Sequence, residues 1–128
     1  MHLTILTPEK TVFEGDADNL QLPGSLGLMG VLNNHAPIIT GILPGTLKFQ
    51  SDNQTNVFFV SSGFFEFNAN KALVLTDAAE KPGEIDLDRV KDAEERAKRR
   101  LRKRESVDFD RAQRALLRSF ARRKAHSF

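Results

Sequence analysis

Residues 79–90 read Ala79-Glu80-Lys81-Pro82-Gly83-Glu84-Ile85-Asp86-Leu87-Asp88-Arg89-Val90, and the character of the chain changes across them. All five prolines and all eight glycines of the 128-residue chain fall at or before Gly83. Up to residue 79 there are three Lys or Arg against seven Asp or Glu, a balance of −4; from residue 80 onward there are sixteen against ten, a balance of +6. Breakers, charge and hydrophobic period shift together, so Lys81-Pro82-Gly83 reads as a turn joining two parts. The sequence predicts one domain over residues 1–83 and a second over residues 84–128.

Upstream of the junction, β-branched and aromatic residues cluster in short runs bounded by Gly, Pro, Asn or Asp, the pattern of strands and turns. Leu3, Ile5 and Thr7 alternate with Thr4 and Leu6 before Pro8, and Leu20 and Leu22 alternate with Asn19 and Gln21. Further runs cover residues 38–43, 46–49, 57–60, 64–67 and 72–76, with turn signals at Ser51-Asp52-Asn53 and Asn68-Ala69-Asn70. Such regular spacing predicts a sandwich or flattened barrel. Seven of the ten Phe lie here and supply core area at about 25 cal/mol per Å² buried.

Downstream the period is helical. Val90, Ala93, Ala97 and Leu101 share a face, and Phe109, Ala112, Leu116 and Phe120 repeat that spacing. Two amphipathic helices are predicted, the first capped by Asp86 and the second by Ser106 or Asp108, with a short connection over residues 104–107. Such a short connection favours an antiparallel hairpin. The predicted fold class is therefore α+β: an N-terminal β-sandwich or flattened barrel followed by a C-terminal antiparallel two-helix hairpin. Because the apolar stripes are narrow and rich in alanine, the hairpin is expected to dock marginally and to open.

Composition excludes several functions. The absence of cysteine rules out a disulfide framework and a thiolate zinc site, and three scattered histidines make a poor metal set. No basic region followed by a long apolar run opens the chain and no stretch has bilayer length, so it is expected to be neither secreted nor membrane-spanning. Ser61-Ser62-Gly63 lacks nucleophile-elbow spacing, and His2, His35 and His126 have no neighbouring carboxylate arrangement that nominates a general base. The chain reads as a non-enzyme. His35, before Ala36-Pro37, reads on pattern as a turn histidine bonding backbone. Gly24, Gly27 and Gly30 fail as a phosphate loop because no Gly-Lys-Ser/Thr follows.

Arg96, Lys98, Arg99, Arg100, Arg102, Lys103 and Arg104 crowd the end of the first helix. The bland reading is a solvated face whose charge suits the helix dipole. Against it stand a nucleic-acid patch and an acidic protein partner, both exploiting salt-sensitive steering. Single-strand binders interleave aromatics with the basic residues, and this run has none, which favours the protein partner.

These motifs, in order and over essentially the whole chain, resemble the epsilon subunit of bacterial F-type ATP synthases. The resemblance rests on Leu3-Thr4-Ile5-Leu6-Thr7-Pro8 with Phe13-Glu14-Gly15, and on Gly27-Leu28-Met29-Gly30-Val31-Leu32-Asn33-Asn34-His35-Ala36-Pro37 followed by Leu43-Pro44-Gly45. Ser62-Gly63-Phe64-Phe65-Glu66-Phe67 and Leu75-Thr76-Asp77-Ala78-Ala79-Glu80 complete it. Asn33-Asn34 stands where the family commonly has a proline-containing pair. The resemblance implies a non-catalytic rotor subunit at the cytoplasmic face of the bacterial inner membrane, which meets the membrane only through the complex. Its partners would be the gamma subunit, the c-ring and the catalytic alpha and beta subunits, with no nucleic acid and no required cofactor. The hairpin would restrain ATP hydrolysis, and Gly27, Met29, Gly30 and His35, in a loop over residues 27–35, would contact the c-ring.

Some family members bind regulatory ATP through Ile/Leu-Asp-x-x-Arg-Ala and further arginines. This chain has Ile85-Asp86-Leu87-Asp88-Arg89-Val90, with Arg96, Arg118, Arg122 and Glu80 at matching positions. Residues seven apart on an α-helix lie about 20° from eclipsed and residues four apart about 40°, so Arg89 and Arg96 share a face, as do Arg118 and Arg122. Val90 adds two methyl groups where the family has alanine, an overpacking expected to cost about 1 to 3 kcal/mol. Two alternatives remain: a free-standing nucleic-acid-binding module using the basic hairpin, and a small-ligand sensor that only binds ATP.

Overall fold

A computed structural model describes residues 1–103 and 109–127; the side chains of residues 102, 103 and 109 are outside the description. Ten strands precede two helices: β1 (His2–Leu6), β2 (Thr11–Asp16), β3 (Asp18–Gly24), β4 (Gly27–Val31), β5 (Ile38–Ile42), β6 (Gly45–Ser51), β7 (Gln54–Val60), β8 (Gly63–Asn68), β9 (Lys71–Thr76) and β10 (Ala79–Glu80). A single 3-10 turn, Pro82–Glu84, leads to α1 (Leu87–Lys103) and then α2 (Phe109–His126). The expected second cap, at Ser106 or Asp108, and the connection over residues 104–107 lie outside the described residues.

The strands form one sheet in the order β10-β7-β6-β3-β5-β8-β9-β1-β2, with β4 paired to β3. All pairings are antiparallel except β1 with β9. The sheet curls on itself into a flattened barrel, because inward residues from β1 and from β3 through β9 meet in one core that includes Leu3, Ile5, Leu20, Leu22, Val31, Leu47, Phe49, Phe65, Phe67 and Val74. Phe13 and Phe49 tilt together at 4.6 Å between ring centroids, and Phe58 stacks on Phe49 at 6.1 Å. The predicted turns set the register. Asp52 and Asn53 have φ of 52° and 60°, and Ala69 and Asn70 of 50° and 59°. Two successive positive φ values suit the two-residue hairpin whose twist matches the flanking strands.

Two expectations are corrected. Residues 27–31 are strand β4, not loop: Leu20 through Gly24 pair with Val31 through Gly27, so the glycines sit within a hairpin arm. On α2 the buried residues are Ala112, Ser119, Ala121 and Ala125, while Phe120 is 46% exposed. Periodicity marked the larger apolar residues, but the space beside α1 and the barrel admits only small ones.

Close approach constrains Gly63 most tightly, since a Cβ there would stand 1.9 Å from the Leu75 carbonyl oxygen across the β8–β9 ladder. Gly30 by contrast faces open space. Gly63→Ala should lose about 3 kcal/mol or more by urea unfolding, and Gly30→Ala should stay within about 0.5 kcal/mol of the parent chain. Equal stability of the two variants would contradict this strand packing.

Candidate functional site

The site is built on strand β7. In Val57-Phe58-Phe59-Val60, Phe58 and Val60 point into the barrel core, so Phe59 must point out. Phe59 is nevertheless 0% exposed, because the hairpin covers it with Ile85, Val90, Ala121 and Ala125. The chain returns to this place through Thr76, whose buried hydroxyl lies 3.1 to 3.3 Å from the carbonyls of Ser61, Ser62 and Ala78. That knot, with Ser61 N–H donating to Ala78 O at 3.0 Å, delivers β10 to the edge of β7. Glu80 then pairs directly with Phe59, which sets the two side chains on one face. Arg122 of α2 spans both: its Nε donates to Glu80 Oε1 and Oε2 at 3.3 and 3.2 Å, and its guanidinium carbon lies 4.5 Å from the Phe59 ring centroid.

The 3-10 turn carries the chain from β10 to α1, with Glu84 N–H donating to Lys81 O and Ile85 N–H to Pro82 O. Asp86 caps α1 as expected, its Oδ1 accepting the backbone N–H of Asp88 at 3.0 Å and of Arg89 at 3.2 Å. A carboxylate there also suits the positive end of the helix dipole. Arg89 and Arg96 leave α1 on the side facing β10 and α2. Between these elements lies a cleft of about 510 Å³, lined by Glu80, Glu84, Asp86, Arg89, Val90, Asp92, Ala93, Arg96, Ser119 and Arg122. That volume is within the usual range of small-molecule sites.

Of the residues singled out in the sequence, Glu80, Asp86, Arg89, Arg96 and Arg122 share the cleft, and Ile85 and Arg118 do not line it. Ile85 is buried against Phe59 and Val90. Arg118 is half-buried one turn before Arg122; burial pushes its pKa down, as do Arg122, Arg114 and Arg111, while Asp77 pushes it up. A guanidinium stays charged regardless. Val90 is buried with Phe59, Ala121 and Ala125 and also lines the cleft. The motif missed Glu84, Asp92, Ala93 and Ser119. Spacing held a signal for two of them: Asp92 follows Arg89 by three residues and Ser119 precedes Arg122 by three, so each shares its arginine's face.

The four residues expected at the c-ring are spread along β4 and beyond its end. Gly27 opens the strand with φ +126°, Gly30 is exposed, and Met29 packs partly against the core. His35 lies past the far end of β4 in a turn. Its N–H donates to Leu32 O at 3.2 Å, its Nδ1 lies 2.6 Å from Ala36 O, and its ring meets the Phe67 ring edge-on at 5.8 Å. Asn34 takes φ 63° in this turn, which proline cannot, and its N–H donates to Asn70 Oδ1 at 2.8 Å. Asn33 bonds Asp18 Oδ1 at 2.7 Å and accepts from the amino group of Met1. The turn at Asn33-Asn34 is thus tied down by the Asn33 side chain, the Asn34 backbone and their partners.

Residues 1–82 match the sequence profile described as ATP synthase, Delta/Epsilon chain, beta-sandwich domain. Residues 84–126 match that described as ATP synthase, Delta/Epsilon chain, long alpha-helix domain. The chain is 42% identical over 123 residues to the ATP synthase epsilon chain of Nitratidesulfovibrio vulgaris strain DP4, covering 95% of this chain and 92% of that one. To the ATP synthase epsilon chain of Desulfitobacterium hafniense strain Y51 it is 40% identical over 120 residues, 94% and 91% of the two chains. A chain in the Euglena gracilis mitochondrial ATP synthase has the same fold, with TM-score 0.86 at 21% identity over 96% of this chain and 79% of that one.

Arg122→Met keeps much of the apolar stem but removes the pair with Glu80 and the contact with the Phe59 ring. Docking of α2 should weaken by about 1 to 2 kcal/mol, seen as faster amide exchange in α2 with barrel protection unchanged. Unaltered exchange would mean that apolar contacts alone seat the helix.

Proposed function

The chain belongs to the ATP synthase Delta/Epsilon chain family as a non-catalytic subunit, and on that premise we propose that it is a rotor subunit whose hairpin binds ATP when folded and restrains ATP hydrolysis when released. The observation that carries the nucleotide reading is the convergence of Arg89 and Arg96 from α1 and Arg122 from α2 on one cleft. Arginine forks suit phosphate oxygens, and hydrogen bonds to charged groups contribute about 1.5 to 3 kcal/mol each. Glu84 and Asp92 are acceptors for the hydroxyl and amino groups of a nucleoside. Arg118 adds positive potential from outside the lining. Because the cleft is assembled from both helices and β10, a ligand that binds it stabilises the folded pose over any pose in which they part.

The barrel presents surfaces fit for protein partners. On its outer face the register sets Phe64 beside Leu75, and Leu75 beside Leu6, with Ile39 one row away. Phe64 and Ile39 are largely exposed. An apolar row of this kind, with Ile39 opposite Glu66 in the row beside it, marks a docking face, and we assign this one to the gamma subunit. The β3–β4 hairpin displays Leu26 and Leu28 at its tip, both exposed, with Gly30 further along β4; that arm is the candidate for the c-ring. Residues 1–83 act as the rotor-bound domain and residues 84–128 as the regulatory one. No helix among the described residues is long and apolar enough to cross a membrane; the subunit sits at the cytoplasmic face of the bacterial inner membrane through its complex. The +6 balance from residue 80 onward suits acidic segments of the catalytic alpha and beta subunits.

Calorimetric titration with ATP should give a saturable signal that Arg89→Ala weakens about 10- to 100-fold. Equal, negligible heats for both proteins would end the nucleotide reading. Deleting residues 84–128 should raise ATP hydrolysis by the assembled enzyme, and inhibition by added full-length chain should weaken with salt because exposed pairs are screened beyond about 10 Å at 0.1 M. Unchanged hydrolysis after the deletion would remove the inhibitory role.

A further inference from the structure

Glu94 is the one buried acidic residue among the described residues, 6% exposed. It follows Val90 by four residues and precedes Ala97 by three, which sets it in the seam where α1 meets α2. Its Oε1 lies 3.0 Å from Lys98 Nζ, one turn along the same helix, and its Oε2 lies 2.5 Å from Arg123 Nη2 on α2. The carboxylate side chain is 7% exposed, whereas the two cations are about half exposed, at 49% and 48%. Oε2 has no aligned hydrogen-bond donor, so Arg123 holds it by charge. Phe120 covers the same side, with Lys98 Nζ 6.0 Å from its ring centroid.

This group stands off the cleft: none of Glu94, Lys98, Phe120 and Arg123 lines it. Consecutive residues on an α-helix diverge by about 100°, so Arg122 and Arg123 are anchored in different directions. Arg122 reaches Glu80 on the barrel side, and Arg123 reaches Glu94 across the seam. Lys98 travels with Glu94 whatever the hairpin does, but Arg123 is lost when the helices part. A carboxylate buried this deeply adds little net stability even when paired, yet losing one partner is costly. Its effect is to penalise every closed arrangement of the helices except the one that brings Arg123 to it.

We propose that Glu94 is a positioning residue whose pairing with Arg123 selects the helix register in which Arg89, Arg96 and Arg122 share a cleft. On opening, Glu94 rehydrates beside Lys98, and Arg123 becomes available to an acidic partner. The role in ligand binding rests on the nucleotide reading above; the selection of register does not. The pair Arg123–Glu94 and the pair Arg122–Glu80 act as two clasps, one holding α2 to α1 and one holding α2 to the barrel.

The chain has no cysteine, so spin labels at Arg99→Cys and Gln113→Cys, one on each helix, report the α1–α2 distance in the full-length protein without ligand. The parent chain should give one narrow distance distribution. Glu94→Gln and Arg123→Gln should each raise the separated population about tenfold, and the double variant should be no more open than either single one. Glu94→Leu with Arg123→Met, an apolar pair, should close the hairpin again and make the distribution insensitive to salt. Single variants that leave the distribution unchanged, or that add independently in the double variant, overturn the proposal. ATP titration separates this from the nucleotide reading. If the parent chain binds no ATP while the distances still depend on Glu94, register selection stands and the nucleotide reading falls. If ATP binds with an affinity indifferent to Glu94→Gln, the positioning role in the cleft falls.

Discussion

The outward face of Phe59 is the constraint on which the arrangement of the chain depends. The Phe59 ring on the outer face of β7 is fully covered, whereas Phe64 on the outer face of β8 is left exposed, and what covers Phe59 is largely a helix of alanines and arginines. Ala121 and Ala125 let α2 approach closely, while Ile85 and Val90 fill the remaining space from the α1 side. Small residues bury little area, and stabilisation scales with area at about 25 cal/mol per Å². The barrel core by contrast combines Phe49, Phe65 and Phe67 with the leucines and isoleucine of β1, β3 and β6, all essentially without solvent contact. The barrel therefore supplies the rigidity, and the hairpin is stabilised much less by burial.

Charge adds specificity of position to a seat of small area. Arg122 unites a carboxylate and an aromatic face, which β10 and β7 bring opposite each other by strand register. The Thr76 hydroxyl matters at a distance because it fixes where β10 leaves the barrel, and hence where Glu80 stands. On the other flank Arg123 meets Glu94. Such pairs differ from apolar contacts in one respect that bears on function. Oil-like surfaces tolerate many registers, whereas a buried carboxylate tolerates the few that bring it a cation.

Much of this was legible from the residues. Alternating strands, the Asp52-Asn53 and Asn68-Ala69-Asn70 turns and the Asp86 cap carry local physics that tertiary packing did not override. The continuous run Val57-Phe58-Phe59-Val60 also held a signal that something covers both faces of β7, because half-buried strands alternate. Strand β4 was hidden because Gly27 and Gly30 read as breakers; only pairing with β3 makes the segment a strand. The buried face of α2 was hidden for a different reason. Periodicity weights large apolar residues, but three surfaces compete around that helix, and the crowded ones took Ala112, Ser119, Ala121 and Ala125. Glu94 contradicts the hydrophobic pattern of α1, and its partner is far along the chain, so no local rule would find it. The arginine motif located most of the cleft, while Arg118 shows that sharing a helical face with Arg122 does not bring a side chain to the same cavity.

A weak seat is a requirement for a hairpin that a ligand controls. A ligand shifts a two-state equilibrium only by its differential affinity for the states, and moving a population from 1:99 to 99:1 takes about 5.5 kcal/mol. Were α2 seated by a second aromatic core like that of the barrel, no cleft of three arginines could decide its position. Alanine at the contact keeps the apolar contribution small. In the proposed function, Arg122 and Arg123 keep the closed geometry specific, and Arg89 and Arg96 leave the remaining difference to the anion that would bind between the helices. On that proposal the charge surplus of the hairpin would serve both poses, since the cations that favour a bound phosphate are the ones that an acidic surface would attract once the helices part.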